Sequence, residues 1–222
     1  MNHAKLDQSA DVATSKPSSG AIPKWQTLQP DFGAYVMAVQ RVEELLRRVT
    51  TALAQTGIPH AIIGGNAVAA WISAIDPDAA RTTKDVDLLI RRDDLGRIAD
   101  VLRPAGLVPA EVLGVSMFVD AKDPSPKSGV HLLFANEPIR PDDPCPAPDP
   151  EKSRIGVLGY RIIELPELVK MKLLAFRLRD QTHLVDMLSV GLIDASWKAQ
   201  MPAELQGRFQ QVFEAFEREE RR

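Results

Sequence analysis

Two short apolar segments constrain the fold of this 222-residue chain more than any other feature. His60–Ile63 runs directly into a double glycine, and Val86–Ile90 is apolar except for one aspartate. Segments of this length and composition are typical of strands that are covered on both faces of a sheet. Because helical patterns surround both segments, we predict an α/β fold with a mixed β-sheet flanked by helices and a C-terminal helical part.

The remaining elements are predicted from apolar spacing. Steps of three and four indicate helices, and short apolar runs indicate strands. Six prolines between Pro138 and Pro150 exclude helix and central strand from that segment. The other predicted elements are helices over Tyr35–Leu53, over Asn66–Ile75 and up to Leu102, strands near Val115–Val119 and Val130–Phe134, a short edge strand within Ile155–Ile163, helices over Pro166–Leu178 and Thr182–Val190, and a closing amphipathic helix through Leu205 and Phe216.

Composition shifts along the chain predict three parts. Residues 1–24 are polar and lack periodicity, so we expect a disordered leader. Residues 25–150 are expected to form the core, and residues 151–222 a C-terminal helical region packed on it.

Charge and cysteine content exclude several classes of protein. Lysine and arginine number 27 against 30 aspartates and glutamates, and this net charge of −3 excludes a globally basic nucleic-acid binder. Cys145 is the single cysteine, so an intramolecular disulfide is impossible. No segment approaches the roughly 20 apolar residues that span a bilayer, so we expect a cytoplasmic protein without a membrane partner.

Asp85, Asp87 and the Gly64-Gly65 pair carry the most informative chemistry. Residues i and i+2 of a strand point to the same face, so both carboxylates need compensation beside an apolar run. Mg²⁺ takes carboxylate oxygens and keeps sites for substrate phosphates, and Mn²⁺ has similar preferences. Glycines at the start of a helix let backbone N–H groups approach a phosphate. Each feature alone is more often a solvated strand end or an ordinary turn, but their combination favours function.

The pattern Gly-Gly-x-Ala followed by Arg-x-Thr-x-Asp-x-Asp resembles the signature of the nucleotidyltransferase superfamily that includes DNA polymerase beta. The resemblance is closest to small bacterial AbiE-type toxins of toxin–antitoxin systems. It implies that Gly64, Gly65 and Asn66 bind phosphate and that Asp85 and Asp87 bind the metal, while Arg81 and Thr83 complete the motif.

A second part of the resemblance lies near the C-terminus. Lys172, Arg179 and Asp186 are similar to the charged helix positions of the same toxin-like proteins, with His183 continuing the stripe if the helix is unbroken. The resemblance implies that Lys172 contacts the triphosphate, that Arg179 helps to bind the nucleotide, and that Lys172 and Asp186 are catalytic residues. From the residues alone, a solvated helix face is the favoured interpretation of Arg179, whereas Lys172 could equally contact a triphosphate or extend its amine to solvent.

His131 stands where the superfamily usually supplies a third carboxylate, and histidine is a poor ligand for Mg²⁺. Three interpretations remain open at this point: His131 acts as a general base, the site uses two aspartates, or catalysis is lost and nucleotide binding is kept. Asp120 is a spare carboxylate that could approach the site from the neighbouring predicted strand.

The expected function is metal-dependent transfer of a nucleoside monophosphate from an NTP to an acceptor hydroxyl. The acceptor would be RNA or protein, and the protein would act as a toxin with a cognate antitoxin partner. The alternative is a catalytically impaired protein that binds a nucleotide or a partner. Arg47-Arg48, Arg91-Arg92 and Lys170 with Lys172 could form a local basic patch for RNA.

Overall fold

The two predicted apolar strands lie at the centre of the sheet in the computed structural model. The structure describes residues 28–29, 31–126, 129–157 and 159–221, so the predicted leader over residues 1–24 lies outside the described residues. Within these ranges the elements are α1 Phe32–Leu53, β1 His60–Ile63, α2 Gly64–Ser73, β2 Val86–Ile90, α3 Leu95–Leu102, β3 Leu107–Val112, β4 Val115–Asp120, β5 Val130–Phe134, β6 Ser153–Ile155, β7 Arg161–Ile163, α4 Leu165–Ala175, α5 Leu178–Ser189, α6 Trp197–Gln200 and α7 Ala203–Glu220.

The seven strands found in the described part of the chain form one sheet in the order β3-β4-β5-β2-β1-β7-β6. The pairs β2–β5 and β1–β7 are parallel, and the other neighbours are antiparallel. The predicted mixed sheet flanked by helices is therefore confirmed.

Each face of the sheet has its own hydrophobic core. On one face, Leu88 and Ile90 of β2 are fully buried with residues of α1 and α3. On the other face, Leu89 of β2 packs with residues of α2, α4, α5 and α7. Strand β2 alternates between these two cores, as the side-chain period of two requires.

Helix α4 ends three residues earlier than predicted. Pro166 lies in its first turn, as expected, but Phe176 adopts a left-handed conformation with φ of 47° and donates its backbone N–H to the carbonyl of Lys172 at 2.9 Å. Because a left-handed residue cannot continue an α-helix, the chain turns and α5 begins at Leu178. The prediction of a helix through Leu178 is wrong, and Lys172 and Arg179 lie on different helices.

The sequence patterns did not predict strand β3, and they predicted β6 and β7 as a single strand. Strand β3 pairs antiparallel with β4 along its whole length, although Pro109 interrupts its apolar pattern. Pro109 is tolerated because β3 is an edge strand of the sheet. The predicted edge strand within 155–163 is instead a hairpin of two strands, β6 and β7. The exclusion of helix and strand from Pro138–Pro150 is confirmed, because the segment consists of turns, bends and irregular chain.

From Gly33 onwards, the described residues form one compact unit that includes the sheet and the C-terminal helices. None of the helices that the structure describes combines the length and apolarity that crossing a bilayer requires.

Candidate active site

The turn between β1 and α2 is the floor of the site. Gly64 has φ of 67°, a conformation that L side chains rarely adopt, and it begins α2 directly after the last residue of β1. A Cβ on Gly64 would overlap the carboxylate of Asp87. A Cβ on Gly65 would lie 2.7 Å from the hydroxyl oxygen of Thr83. Both glycines are therefore required by the close approach of the acidic segment.

Asp87 is held in the middle of the sheet. It is paired with Ile63 at the end of β1 on one side and with His131 of β5 on the other. Asp85 lies two residues earlier, directly before β2. The carboxylate side chains of Asp85 and Asp87 are 33% and 31% exposed, so solutes can reach both of them. The acidic pair thus lies beside the glycine turn and faces an open cavity.

Asn66 connects the glycine turn to the acidic pair. Its side-chain amide donates a hydrogen bond of 2.8 Å to the backbone carbonyl of Asp85. The amide is therefore engaged by the protein, and this contact positions Asp85 rather than a phosphate.

His131 contacts Asp87 across the β2–β5 pair. Its Nδ1 lies 3.5 Å from Oδ1 of Asp87, and the ring is about one-third exposed. The contact with Asp87 raises the pKa of His131 against the opposing effect of burial. A raised pKa favours the protonated imidazole ring, and a protonated ring cannot accept another proton. His131 could therefore act as a base only when Asp87 binds another partner, such as a metal ion.

Lys172 is buried and does not reach solvent. Only 6% of the residue is exposed, and Nζ donates a hydrogen bond of 3.2 Å to Oδ1 of Asp180. Asp180 also accepts a hydrogen bond of 2.8 Å from Nε of Arg177. Burial lowers the pKa of Lys172, while the two cations, against burial, keep the pKa of Asp180 below its usual range. This cluster connects α4 to the start of α5 beside the cavity.

Arg179 lies at the edge of the acidic pair. Its Nη1 is 3.6 Å from Oδ2 of Asp85, and its side chain is 68% exposed. A guanidinium in this position can contact an anion that binds at the glycine turn.

Arg81 and Asp186 bind each other. Nε and Nη2 of Arg81 donate hydrogen bonds of 2.8 and 3.0 Å to the two carboxylate oxygens of Asp186. The bidentate pair fixes the segment that precedes β2 against α5. Asp186 does not line the cavity that contains Asp85 and Asp87, so its predicted catalytic role has no direct contact in this arrangement.

The cavity over the acidic pair measures about 610 Å³, which is within the range of about 300–1,000 Å³ for ligand pockets. We call it the large cavity. Gly64, Gly65, Thr83, Asp85 and Asp87 form one side with His131 and the Lys172 cluster. The apolar part of the lining is formed by Val112, Leu113, Val115, Met117, Leu133 and Ile139.

The donor set fits a divalent cation that is shared with a substrate. Two carboxylates on one segment provide hard oxygen ligands, and Gly64 leaves the space for Asp87 to lie against the turn. Among the residues that the structure describes, no group of three or more His, Cys, Asp or Glu side chains is arranged to hold a metal ion. A cation at Asp85 and Asp87 would therefore take its remaining ligands from water and substrate phosphates.

Two expectations about charged residues are wrong. Asp120 bonds to Arg48 at 2.7 Å and does not line the large cavity. The expected basic patch is neutralised, because each of its members bonds to a carboxylate: Arg47 to Glu44, Arg48 to Asp120, Arg91 to Asp149 and Glu151, Arg92 to Glu137, Lys170 to Glu167, and Lys172 to Asp180.

Asp180 and Arg177 line the large cavity and were not predicted from the sequence. Arg177 is the residue before α5, and Asp180 accepts its backbone N–H at 3.3 Å in the first helical turn. An acidic residue three positions after a helix start is a recognisable capping signal, but the predicted unbroken helix concealed that start.

Comparison with known proteins adds evidence from sequence. Residues 14–143, more than half of the chain, match the model of a protein family described as uncharacterised nucleotidyltransferase. No curated protein matches the sequence.

Two similar solved structures are of the antibiotic-resistance factor ANT(2'')-Ia. Its solution structure has a TM-score of 0.47 and 14% identity, with 84% of this chain and 98% of that chain covered. Its crystal structure with adenylyl-2''-tobramycin has a TM-score of 0.41 and 16% identity, with 81% and 98% covered. The family match includes the glycine turn and both aspartates, and by that match this chain belongs to the family described as uncharacterised nucleotidyltransferase.

Proposed function

We propose that this protein transfers a nucleoside monophosphate from an NTP to an acceptor hydroxyl, using a divalent cation bound by Asp85 and Asp87. The observation that carries the proposal is the close approach of Asp87 to Gly64, which places the acidic pair beside the start of α2. A phosphate at that turn would meet backbone N–H groups and the positive end of the helix dipole.

In the proposed reaction the acceptor oxygen attacks the α-phosphorus, and the bond between that phosphorus and the bridging oxygen of pyrophosphate breaks. The electron pair of that bond leaves with pyrophosphate, and the proton of the acceptor hydroxyl passes to His131 if that residue is the general base, or otherwise to water. A bound Mg²⁺ or Mn²⁺ supplies charge neutralisation at the phosphate oxygens. Gly64 and Gly65 orient the phosphates through their backbone N–H groups, and Arg179 adds positive charge beside them.

His131 has two proposed roles that an experiment can separate. One role is to hold Asp87 in position, in the way that outer residues orient metal ligands. The other is to accept the proton of the acceptor hydroxyl. His131→Gln keeps a hydrogen-bond donor near Asp87 but cannot accept a proton. Substantial activity in this variant supports positioning, and loss comparable with the aspartate variants supports the general-base role.

The test of the proposed function is nucleotide incorporation by the purified protein. Each labelled NTP is incubated with the protein, Mg²⁺ and a cell extract, and labelled products are identified. We expect label transfer by the wild type and none by the double variant Asp85→Asn/Asp87→Asn. Equal labelling by both proteins would remove the metal assignment.

A second candidate is a nucleotide-binding protein with impaired catalysis. It is favoured by His131, which stands where a third carboxylate is expected and contacts Asp87. Calorimetry with each NTP separates the two candidates, because saturable binding without product formation under the same conditions supports the second.

The acceptor and the biological role follow only from the resemblance to AbiE-type toxins. The pairing of the six expected basic residues gives RNA no preferred surface, so an RNA acceptor requires its own test by salt titration of RNA binding. A toxin that is neutralised by an antitoxin protein should arrest growth when expressed alone. Relief of the arrest by the double aspartate variant would connect toxicity to this site.

A further inference from the structure

A second cavity adjoins the large cavity behind the glycine turn. It measures about 240 Å³ and lies between α2 and α5, and we call it the small cavity. Gly65, Thr83, Arg179 and His183 line both cavities, so the two spaces meet at the proposed phosphate site. Asp85 and Asp87 line only the large cavity.

The size of the small cavity limits what it can hold. Pockets for drug-sized ligands measure about 300–1,000 Å³, and the small cavity falls below that range. It therefore suits a fragment of a nucleotide, such as two linked phosphates, rather than a complete NTP.

The charged groups around the small cavity favour an anion. Lys84 and Arg179 are exposed at its rim, and Lys84 makes no hydrogen bond or ion pair with the rest of the described chain. Asp186 is the acidic member of the described lining, and it is already bound by Arg81. The balance of charge is therefore positive, and both rim side chains can donate hydrogen bonds to phosphate oxygens.

His183 has an unpaired ring nitrogen next to both cavities. Its Nδ1 is the one buried side-chain nitrogen or oxygen within the described ranges that has no hydrogen-bond partner. Buried polar groups are normally paired, and because this nitrogen is closed to solvent it could bond a ligand oxygen only after the ring turns. His183 lies on the wall that both cavities share.

We propose that the small cavity binds the two terminal phosphates of the NTP, with Lys84 and Arg179 as their cationic contacts. This inference rests on the proposed function, because it divides one substrate between the two cavities. The α-phosphate lies at the boundary beside the acidic pair, and the nucleoside and acceptor occupy the large cavity. When the bond to the α-phosphorus breaks, pyrophosphate is left in the small cavity.

Lys84→Ala is the variant that tests the inference. Binding of each NTP, of the matching nucleoside monophosphate and of inorganic tripolyphosphate is measured by calorimetry with Mg²⁺. We expect about tenfold weaker binding of the NTP and tripolyphosphate, the usual effect of losing one charge-assisted hydrogen bond. Binding of the monophosphate should change less than about twofold, because that ligand lacks the terminal phosphates.

Two further variants control for charge and folding. Lys84→Arg keeps a cationic donor and should retain most of the affinity for tripolyphosphate. Lys122→Ala removes another exposed lysine, one that lines neither cavity, and should leave all affinities unchanged.

The outcomes separate this inference from the proposed function. Equal effects of Lys84→Ala on the triphosphate and the monophosphate, or no effect on either, would overturn the small-cavity assignment while NTP binding by the wild type preserved the proposed function. A wild type that binds neither NTP nor tripolyphosphate would overturn both.

Discussion

The two faces of strand β2 differ sharply although their residues alternate along one short segment. Val86, Leu88 and Ile90 are fully buried in the core beneath α1 and α3. Asp85 and Asp87 on the other face are about one-third exposed and line the large cavity. Leu89, on the same face as the aspartates, is buried in the second core, so the exposed carboxylates are confined to the start of the strand, where the buried residues around them hold both in place.

The largest expected effect comes from the acidic face. Asp85→Asn/Asp87→Asn should lower nucleotide transfer by about 10³–10⁴-fold, because a bound metal contributes several kcal/mol to the transition state and each 1.36 kcal/mol is tenfold in rate. Its free energy of unfolding should change by less than about 1 kcal/mol, since both sites are partly exposed. Steady-state kinetics and urea denaturation measure the two quantities. A large loss of stability in this variant would show that the two carboxylates contribute to folding as the buried residues of β2 do.

The apolar face should give the reverse result. Leu88→Ala should lower the free energy of unfolding by about 2–5 kcal/mol, the usual range for a fully buried leucine. Activity per folded molecule should stay close to that of the wild type. Ile155→Ala, at a residue that is 66% exposed, is the control and should change stability by less than about 0.5 kcal/mol. A Leu88→Ala protein with wild-type stability would contradict the assignment of this face as core.

Gly57 and Gly64 have the same backbone angle, so comparing them distinguishes the effect of backbone strain from the effect of the contact with Asp87. Gly57 and Gly64 both have φ of 67°, but a Cβ on Gly57 meets nothing within 4 Å, whereas one on Gly64 meets Asp87. Substitution by alanine should cost about 1–2 kcal/mol of stability at each position. Only Gly64→Ala should also lower activity, by about 10²-fold, because it displaces Asp87, a proposed ligand of the metal. Similar activity in the two variants would show that Asp87 is not held by this contact.

The smallest expected effect concerns pH. Burial lowers the pKa of His183 to about 4, against 6.5 for an unperturbed histidine. The unfolded chain therefore binds the proton first, and stability is lost as the pH falls from 6.5 towards 4. His183→Gln should reduce this loss by on the order of 1–2 kcal/mol, because the ring is only partly buried.

Urea denaturation of both proteins at pH 7 and pH 5 checks the expectation for His183. The difference between the two proteins is the informative quantity, since His131 contributes in the opposite direction. Asp87 raises the pKa of His131, so its contribution is present at low pH and is lost as the pH rises. Parallel curves for the two proteins would show that His183 is protonated as easily in the folded state as in the unfolded chain.

Sequence patterns predicted the centre of this molecule better than its periphery. The strands around His60–Ile63 and Val86–Ile90 were predictable because continuous apolar runs beside glycines have few other solutions. The closeness of Gly64 to Asp87 also follows from the register of β1 and β2, which places Ile63 opposite Asp87. The roles of the site residues remain proposals.

The parts that could not be predicted depend on tertiary contacts. Phe176 adopts a left-handed conformation that its residue type does not indicate, and this break moved Arg179 onto a separate helix. The partner of Lys172 was unpredictable for the same reason, since Asp180 reaches it only because α4 and α5 meet at that break. Pro109 concealed β3, because the tolerance of an edge strand for proline is visible only once the order of the sheet is known.

Strand β2 is hydrogen-bonded on both sides, to β1 and to β5, and so it has no free edge. A strand in this position exchanges its amide hydrogens only when the whole domain opens, whereas helix ends and loops open locally. The amide of Asp87 should therefore be among the slowest to exchange with deuterium. On gradual heating, the acidic pair should persist until the entire fold melts, after the more peripheral groups at Lys84 and Arg179 have already become mobile.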